Sequence, residues 1–208
     1  MPEAHLLAVR GVLTAERVGA GERTALGDPG LLVGRQRRRR EPKWDVGIVL
    51  HFSQRGTRSL TRLAEGSGLR ARLIDVRRAA APVVREISQC ATIVTTSLHG
   101  LVTADAFGIP TVWLTAEPGL REGTFKFRDY ESVVTSGWSR HLAFDERMSL
   151  ANVVEHAEAA PRSTVDAACE GLEAAIHRLP EVLVSPLESF PWGIPTVMQS
   201  RTPTPRSA

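Results

Sequence analysis

The chain has 208 residues, 42% hydrophobic and 24% charged, which is the balance of a globular domain and excludes a disordered or collagen-like chain. No run approaches the ~18 apolar residues of a membrane helix. The start MPEAHLLAVRG lacks the zones of a signal peptide, which predicts a cytoplasmic protein without a transmembrane segment. The formal charge of +3 is local in origin, because without Arg35 and Arg37 to Arg40 it would be −2. Such a run, with no aromatic interleaving, predicts a solvated linker and no nucleic-acid partner.

In chain order, His5 to Val9 reads as a short strand and Leu13 to Val18 as a helix. Gly27-Asp28-Pro29-Gly30 is a turn signal. Arg35 to Pro42 is a charged linker ending in proline. A repeating pattern follows. Trp44 to Phe52 reads as a strand, Arg58 to Glu65 as a helix, Ala71 to Val76 as a strand and Pro82 to Gln89 as a helix with proline in its first turn. Cys90 and Cys169 have no metal-ligand or CxxC spacing.

The most informative stretch is ATIVTTSLHGLVTADAFGIPTVWL, Ala91 to Leu114. Thr92 to Thr96 is β-branched and apolar, as in a buried parallel strand. Ser97 stands where a helix takes a capping oxygen. Leu98 to Phe107 is compatible with a helix, Gly108 with its C-terminal glycine, and Thr111 to Leu114 with the next strand. His99 thus falls on the first turn of a helix at the carboxyl end of a parallel strand. Open α/β sheets bind ligands at that edge, and helix N-termini attract anions. Gly100 either lets a ligand approach or relieves packing. Asp105 lies on the apolar stripe of the helix, which favours a structural role.

Beyond it, Lys126, Arg128, Asp129 and Tyr130 crowd together, and Tyr130 is the only tyrosine. They fit a substrate contact or a solvated helix start equally. Leu142 to Phe144 reads as a last strand, and Ser149 to Ala159 and Ser163 to Leu179 as helices, with Ser163 a plausible cap. Pro186 to Ala208 has five prolines and no amphipathic pattern, which predicts disorder. Alternating strands and helices predict an α/β fold with a parallel sheet. His51, Asp75 and His99 then gather at its carboxyl edge.

Four blocks carry a resemblance: VRGVLT (Val9 to Thr14), GDPGLL (Gly27 to Leu32), TSLHGLVTADAFGIPTVWL (Thr96 to Leu114) and FKFRDY (Phe125 to Tyr130). On these the chain resembles the polysaccharide pyruvyl transferases. The resemblance implies a Rossmann-like domain similar to the C-terminal half of GT-B-like two-domain transferases. It implies transfer of the enolpyruvyl unit of phosphoenolpyruvate to two hydroxyls of a sugar or glycan, forming a pyruvate ketal with no metal or organic cofactor. His99 matches the general acid. Arg10, Ser97, Gly100 and Lys126 match substrate-binding positions. Some members carry arginine where this chain has Ser97.

Family members also have a full Rossmann-like half before the VRG block. The implied organisation is therefore 1–34 as a remnant of that half, 35–42 as the basic linker, 43–180 as the C-terminal domain and 181–208 as a tail. Acceptors on lipid carriers would add a peripheral membrane contact. Two other readings remain open at this point: a nucleotide-sugar glycosyltransferase on the same fold, and a truncated, non-catalytic binding half-protein.

Overall fold

The structure is a computed structural model that describes residues 5–54, 56–65, 67–116 and 123–180. The proline-rich segment expected to be disordered lies outside them. The first elements are β1 (Ala8–Val9), α1 (Val12–Val18), β2 (Ala25–Leu26), a 3-10 turn (Pro29–Leu32) and α2 (Val33–Gln36). Then come β3 (Trp44–Val49), α3 (Arg58–Arg62), β4 (Ala71–Leu73), α4 (Ala80–Ile87), β5 (Cys90–Thr95), α5 (Leu98–Ala106) and β6 (Thr111–Thr115). The last are α6 (Phe125–Val134), β7 (His141–Ala143), α7 (Leu150–Val154) and α8 (Arg162–His177).

Five strands form one sheet in the order β4-β3-β5-β6-β7, and every pair is parallel. The α/β, Rossmann-like expectation holds. The order reverses between β3 and β5, because β3 continues to β4 on one side and the chain returns to β5 on the other. Such a switch point leaves a crevice beyond the strand ends. β1 and β2 make a separate parallel pair.

Side-chain alternation sorts the core into two faces. Val46, Ile48, Val94, Val112 and Leu114 pack with Leu60 and Leu63 near α3 and with Leu150 and Val153 of α7. On the other face, Val49 and Ile93 meet Ile87 of α4 and Ala104 of α5, while Trp113 packs with Leu101, Phe127, Val165 and Cys169. Leu31 is fully buried in this second face. The segment from β1 to α2 is thus built into the body that carries the five-stranded sheet.

Local chemistry decides most element ends. Gly108 follows α5 at φ +62°, and its N–H donates to the Asp105 carbonyl at 3.0 Å. Ser149 caps α7 in a reciprocal pair with Asn152. Ser163 is not a cap: α8 starts one residue earlier behind Pro161, whose carbonyl accepts from the Thr164 and Val165 N–H groups. The strand expected to reach Phe52 stops at Val49, and Phe52–Gln54 forms a 3-10 turn that bends the chain across the sheet edge.

Candidate active site

β3 delivers His51 and β5 delivers Ser97 to the carboxyl edge, on the two sides of the switch point. Two hydroxyls stitch these ends together. The His51 N–H donates to Thr96 Oγ1 at 2.8 Å, and Thr95 Oγ1 donates to the Val49 carbonyl at 2.8 Å. Thr95 Oγ1 also accepts the Ser97 N–H at 2.9 Å. The turn into α5 is therefore fixed from beneath.

This changes the expectation for Ser97. Its backbone takes the N-cap conformation, φ −110° and ψ 127°, but its hydroxyl makes no capping bond. Among the described residues, the Ser97 hydroxyl and the N–H groups of Leu98, His99 and Gly100 have no protein partner. A helix start with unpaired N–H groups carries partial positive charge and suits an anion. Gly100 is buried, and a Cβ there would stand 2.4 Å from Thr95 Oγ1 and 2.9 Å from Val49 Cγ1. The glycine lets α5 settle onto the two strand ends, with its backbone facing the crevice.

The crevice has a volume of about 560 Å³, and Arg10, His51, Ser97, His99, Gly100 and Lys126 all line it. The structure thus brings the five site residues implied by the resemblance, together with His51, to one cavity. His99 is exposed, and its ring makes no hydrogen bond among the described residues. Arg10 is held at one atom, with Nε 3.5 Å from Asp28 Oδ2. Asp28 is in turn anchored by the Gly30 N–H at 2.9 Å. The outer nitrogens of Arg10 have no partner among the described residues, so they present a donor fork suited to a carboxylate or phosphate. The sequence reading missed Asp28 as the residue that orients Arg10, although the Asp-Pro-Gly turn signalled a fixed backbone there.

Arg78 also lines the crevice and was not anticipated. Glu86 grips it at 3.1 and 2.6 Å. Asp75 reaches the same edge of the sheet but pairs with Arg77 at 3.2 Å and does not line the cavity. Of the cluster on α6, only Lys126 faces the crevice. Asp129 is fully buried and accepts from the Thr14 N–H and hydroxyl at 2.8 and 2.6 Å. Tyr130 donates to Asp105 at 2.8 Å. Arg128 lines a separate surface cavity with Trp138 and His141.

Asp105 is structural. Arg140, wholly buried, bonds its two oxygens at 2.5 and 3.0 Å and reaches Glu131 at 3.1 Å. Burial pushes the Asp105 carboxyl and the Tyr130 hydroxyl up from their ordinary values. Burial also opposes the Arg140 charge, but the facing carboxylates outweigh it and hold its pKa raised. This triad locks α5, which carries His99, to α6, which carries Lys126. The thiol of Cys90, pushed up to about 12 by burial, is inert packing beneath the sheet.

The four sequence blocks meet around α5. A Cβ on Gly11 would overlap the Asp129 carbonyl at 1.8 Å, and one on Gly30 would meet Val102 at 2.9 Å. Val12 N–H donates to Ser132 Oγ at 3.0 Å. The spaced motifs are therefore one packed unit around the crevice.

A Rossmann-like sheet with an anion-complementary crevice at its switch point defines a class broad enough to hold many transferases. The particular family follows from comparison. Residues 1–118 match the model of the polysaccharide pyruvyl transferases, and the chain belongs to that family. It is 29% identical over 138 residues to the succinoglycan biosynthesis protein ExoV of Rhizobium meliloti (strain 1021), covering 62% of this chain and 40% of that one. It is 29% identical over 113 residues to uncharacterized protein L143 of Acanthamoeba polyphaga mimivirus, covering 52% and 39%. The chain thus spans about two fifths of the length of the curated relatives it matches. No solved structure matches. Among the described residues, no helix is long and apolar enough to cross a membrane.

Proposed function

We propose that the chain contributes the donor-binding half of an enolpyruvyl transfer, from phosphoenolpyruvate to two hydroxyls of a glycan. The observation that supports this most is the union of Arg10, the unpaired start of α5 with the Ser97 hydroxyl, and His99 on one crevice. Phosphoenolpyruvate carries a phosphate, a carboxylate and a methylene carbon. The α5 start and Ser97 suit the phosphate, and the Arg10 fork suits the carboxylate. Lys126 adds positive charge to the lining.

His99 then donates its proton to the methylene carbon. An imidazole is the side chain whose ordinary pKa suits that donation near neutrality. The central carbon becomes electrophilic, and a sugar hydroxyl forms the first C–O bond. Its proton returns to the imidazole. The C–O bond to phosphate breaks, the second hydroxyl attacks, and its proton leaves with the phosphate. The products are a cyclic ketal and inorganic phosphate.

The test is phosphate release from phosphoenolpyruvate with a panel of sugar acceptors, by this chain and by one extended at its amino end. Acceptor-dependent release that disappears in folded His99→Ala is the expected result. Release retained in that variant would remove His99 from the acid role. Turnover of a nucleotide sugar, with none of phosphoenolpyruvate, would overturn the donor.

A further inference from the structure

The arginine run is exposed and irregular between α2 and β3, as its composition suggests, but it is also tethered. The Arg39 guanidinium donates to the Gly108 carbonyl at 3.2 Å and to the Ala91 carbonyl at 3.5 Å. The Arg40 N–H donates to the Ser88 carbonyl at 3.2 Å, and the Lys43 N–H to the Gln89 carbonyl at 2.7 Å. These bonds lay the run across the C-terminal ends of α4 and α5. A groove of about 710 Å³ opens there, lined by Arg37 to Arg40, Arg85 of α4, Val84 and Phe107 among others.

The Gly108 carbonyl just past α5 and the Ala91 carbonyl of β5 account for Arg39. They do not account for the rest. The side chains of Arg37, Arg38, Arg40 and Arg85 have no hydrogen bond or ion pair among the described residues. The carboxylate that lines the groove, Glu86, is engaged by Arg72 at 3.1 Å and by Arg78 at 2.6 Å. Four unneutralised guanidinia around one concavity focus a positive field that a multivalent anion relieves.

We propose that this groove binds an acidic glycan chain. A linear polycarboxylate fits a concave channel walled by donor forks. A bilayer is flat and would be met by a convex face. Single-stranded nucleic acid wants exposed aromatic rings to stack on, and the groove's ring, Phe107, is buried. Val84 lines both this groove and the crevice that holds His99, so the two adjoin at α4. The choice of a glycan rests on the proposed function, whose product carries a ketal carboxylate.

The experiment titrates the protein with a fluorescent oligogalacturonate, a neutral oligogalactoside, a single-stranded RNA and phosphatidylserine vesicles. The expected result is salt-sensitive binding of the oligogalacturonate alone. That binding should fall at least ~10-fold in the triple variant Arg38→Gln, Arg40→Gln, Arg85→Gln. These side chains have no internal partners, so melting is expected to be unaltered and will be checked on the same sample. Undiminished binding by the folded variant, or binding of RNA or vesicles in place of the oligogalacturonate, would overturn the proposal. Oligogalacturonate binding without phosphoenolpyruvate turnover would sink the enzymatic reading of the crevice and leave the groove standing.

Discussion

Replacing Arg140 tests whether one buried ion network sets the geometry of the crevice. Its guanidinium serves Asp105 and Glu131 at once, and all three side chains are almost wholly inaccessible. Arg140→Met keeps much of the volume and removes the charge. Asp105 keeps its bond from Tyr130, and Glu131 keeps those from Ser139 Oγ at 2.5 Å and the Arg140 backbone N–H at 3.1 Å. Neither carboxylate retains a counterion. Removing one partner of a buried pair typically costs about 3–5 kcal/mol. For a domain of this size that lowers the melting temperature by roughly 6–20 °C. The variant should also regain stability in acid, as Asp105 takes up a proton that no cation now opposes. Adding Asp105→Asn should recover part of the loss, because the pair is coupled. Urea and thermal denaturation of the wild type, the two single variants and the double variant measure this. A loss under about 1 kcal/mol for Arg140→Met, or additive single losses, would refute the reasoning.

Gly11→Ala puts a methyl against the Asp129 carbonyl, a backbone atom with no room to yield. A loss of at least ~2 kcal/mol is expected in chemical denaturation, with crevice ligands bound more weakly. The His141 pKa is lowered, first by burial and then by the charge of Arg128. The unfolded state therefore binds more protons near pH 6, so this contribution is intact above about 6.5 and is lost as pH falls through the lowered folded value. His141→Gln should flatten the slope of the urea midpoint between pH 7.5 and 5.5, and an unchanged slope would exclude His141 as its source.

Much of this was legible because it is local. The β-branched run before Ser97, the glycine after Phe107 and the repeating strands needed only periodicity and turn chemistry to be read. Asp105 was legible as structural because a carboxylate on an apolar stripe demands a partner. The partner was not, because Arg140 lies 35 residues away and nothing near either residue points to the other. Ser97 misled for a related reason. A serine before a helix normally caps it, but here the hydroxyl makes no capping bond although the backbone has the cap conformation. The arginine run was legible as exposed, but not its tether, because composition says nothing of the carbonyls of Ala91 and Gly108 that Arg39 reaches in the folded chain. Arg10 was found through its block. Its restraint by Asp28 emerges only when β1 pairs with β2.

The pairing of β1 with β2 also has a consequence for biosynthesis. Two short parallel strands are too few to hold together unaided. Here they lie against α8, where Leu172 and Ala168 close on Gly27 and the Arg178 side chain bonds the Arg23 carbonyl at 2.8 Å. That bond spans 155 residues. At the usual pace of translation, roughly 5–20 residues per second, the amino-terminal strands wait about 8–30 s for the helix that secures them. Arg10 therefore reaches its working position only after α8 has left the ribosome, so a nascent chain that has already made its sheet still lacks a finished crevice.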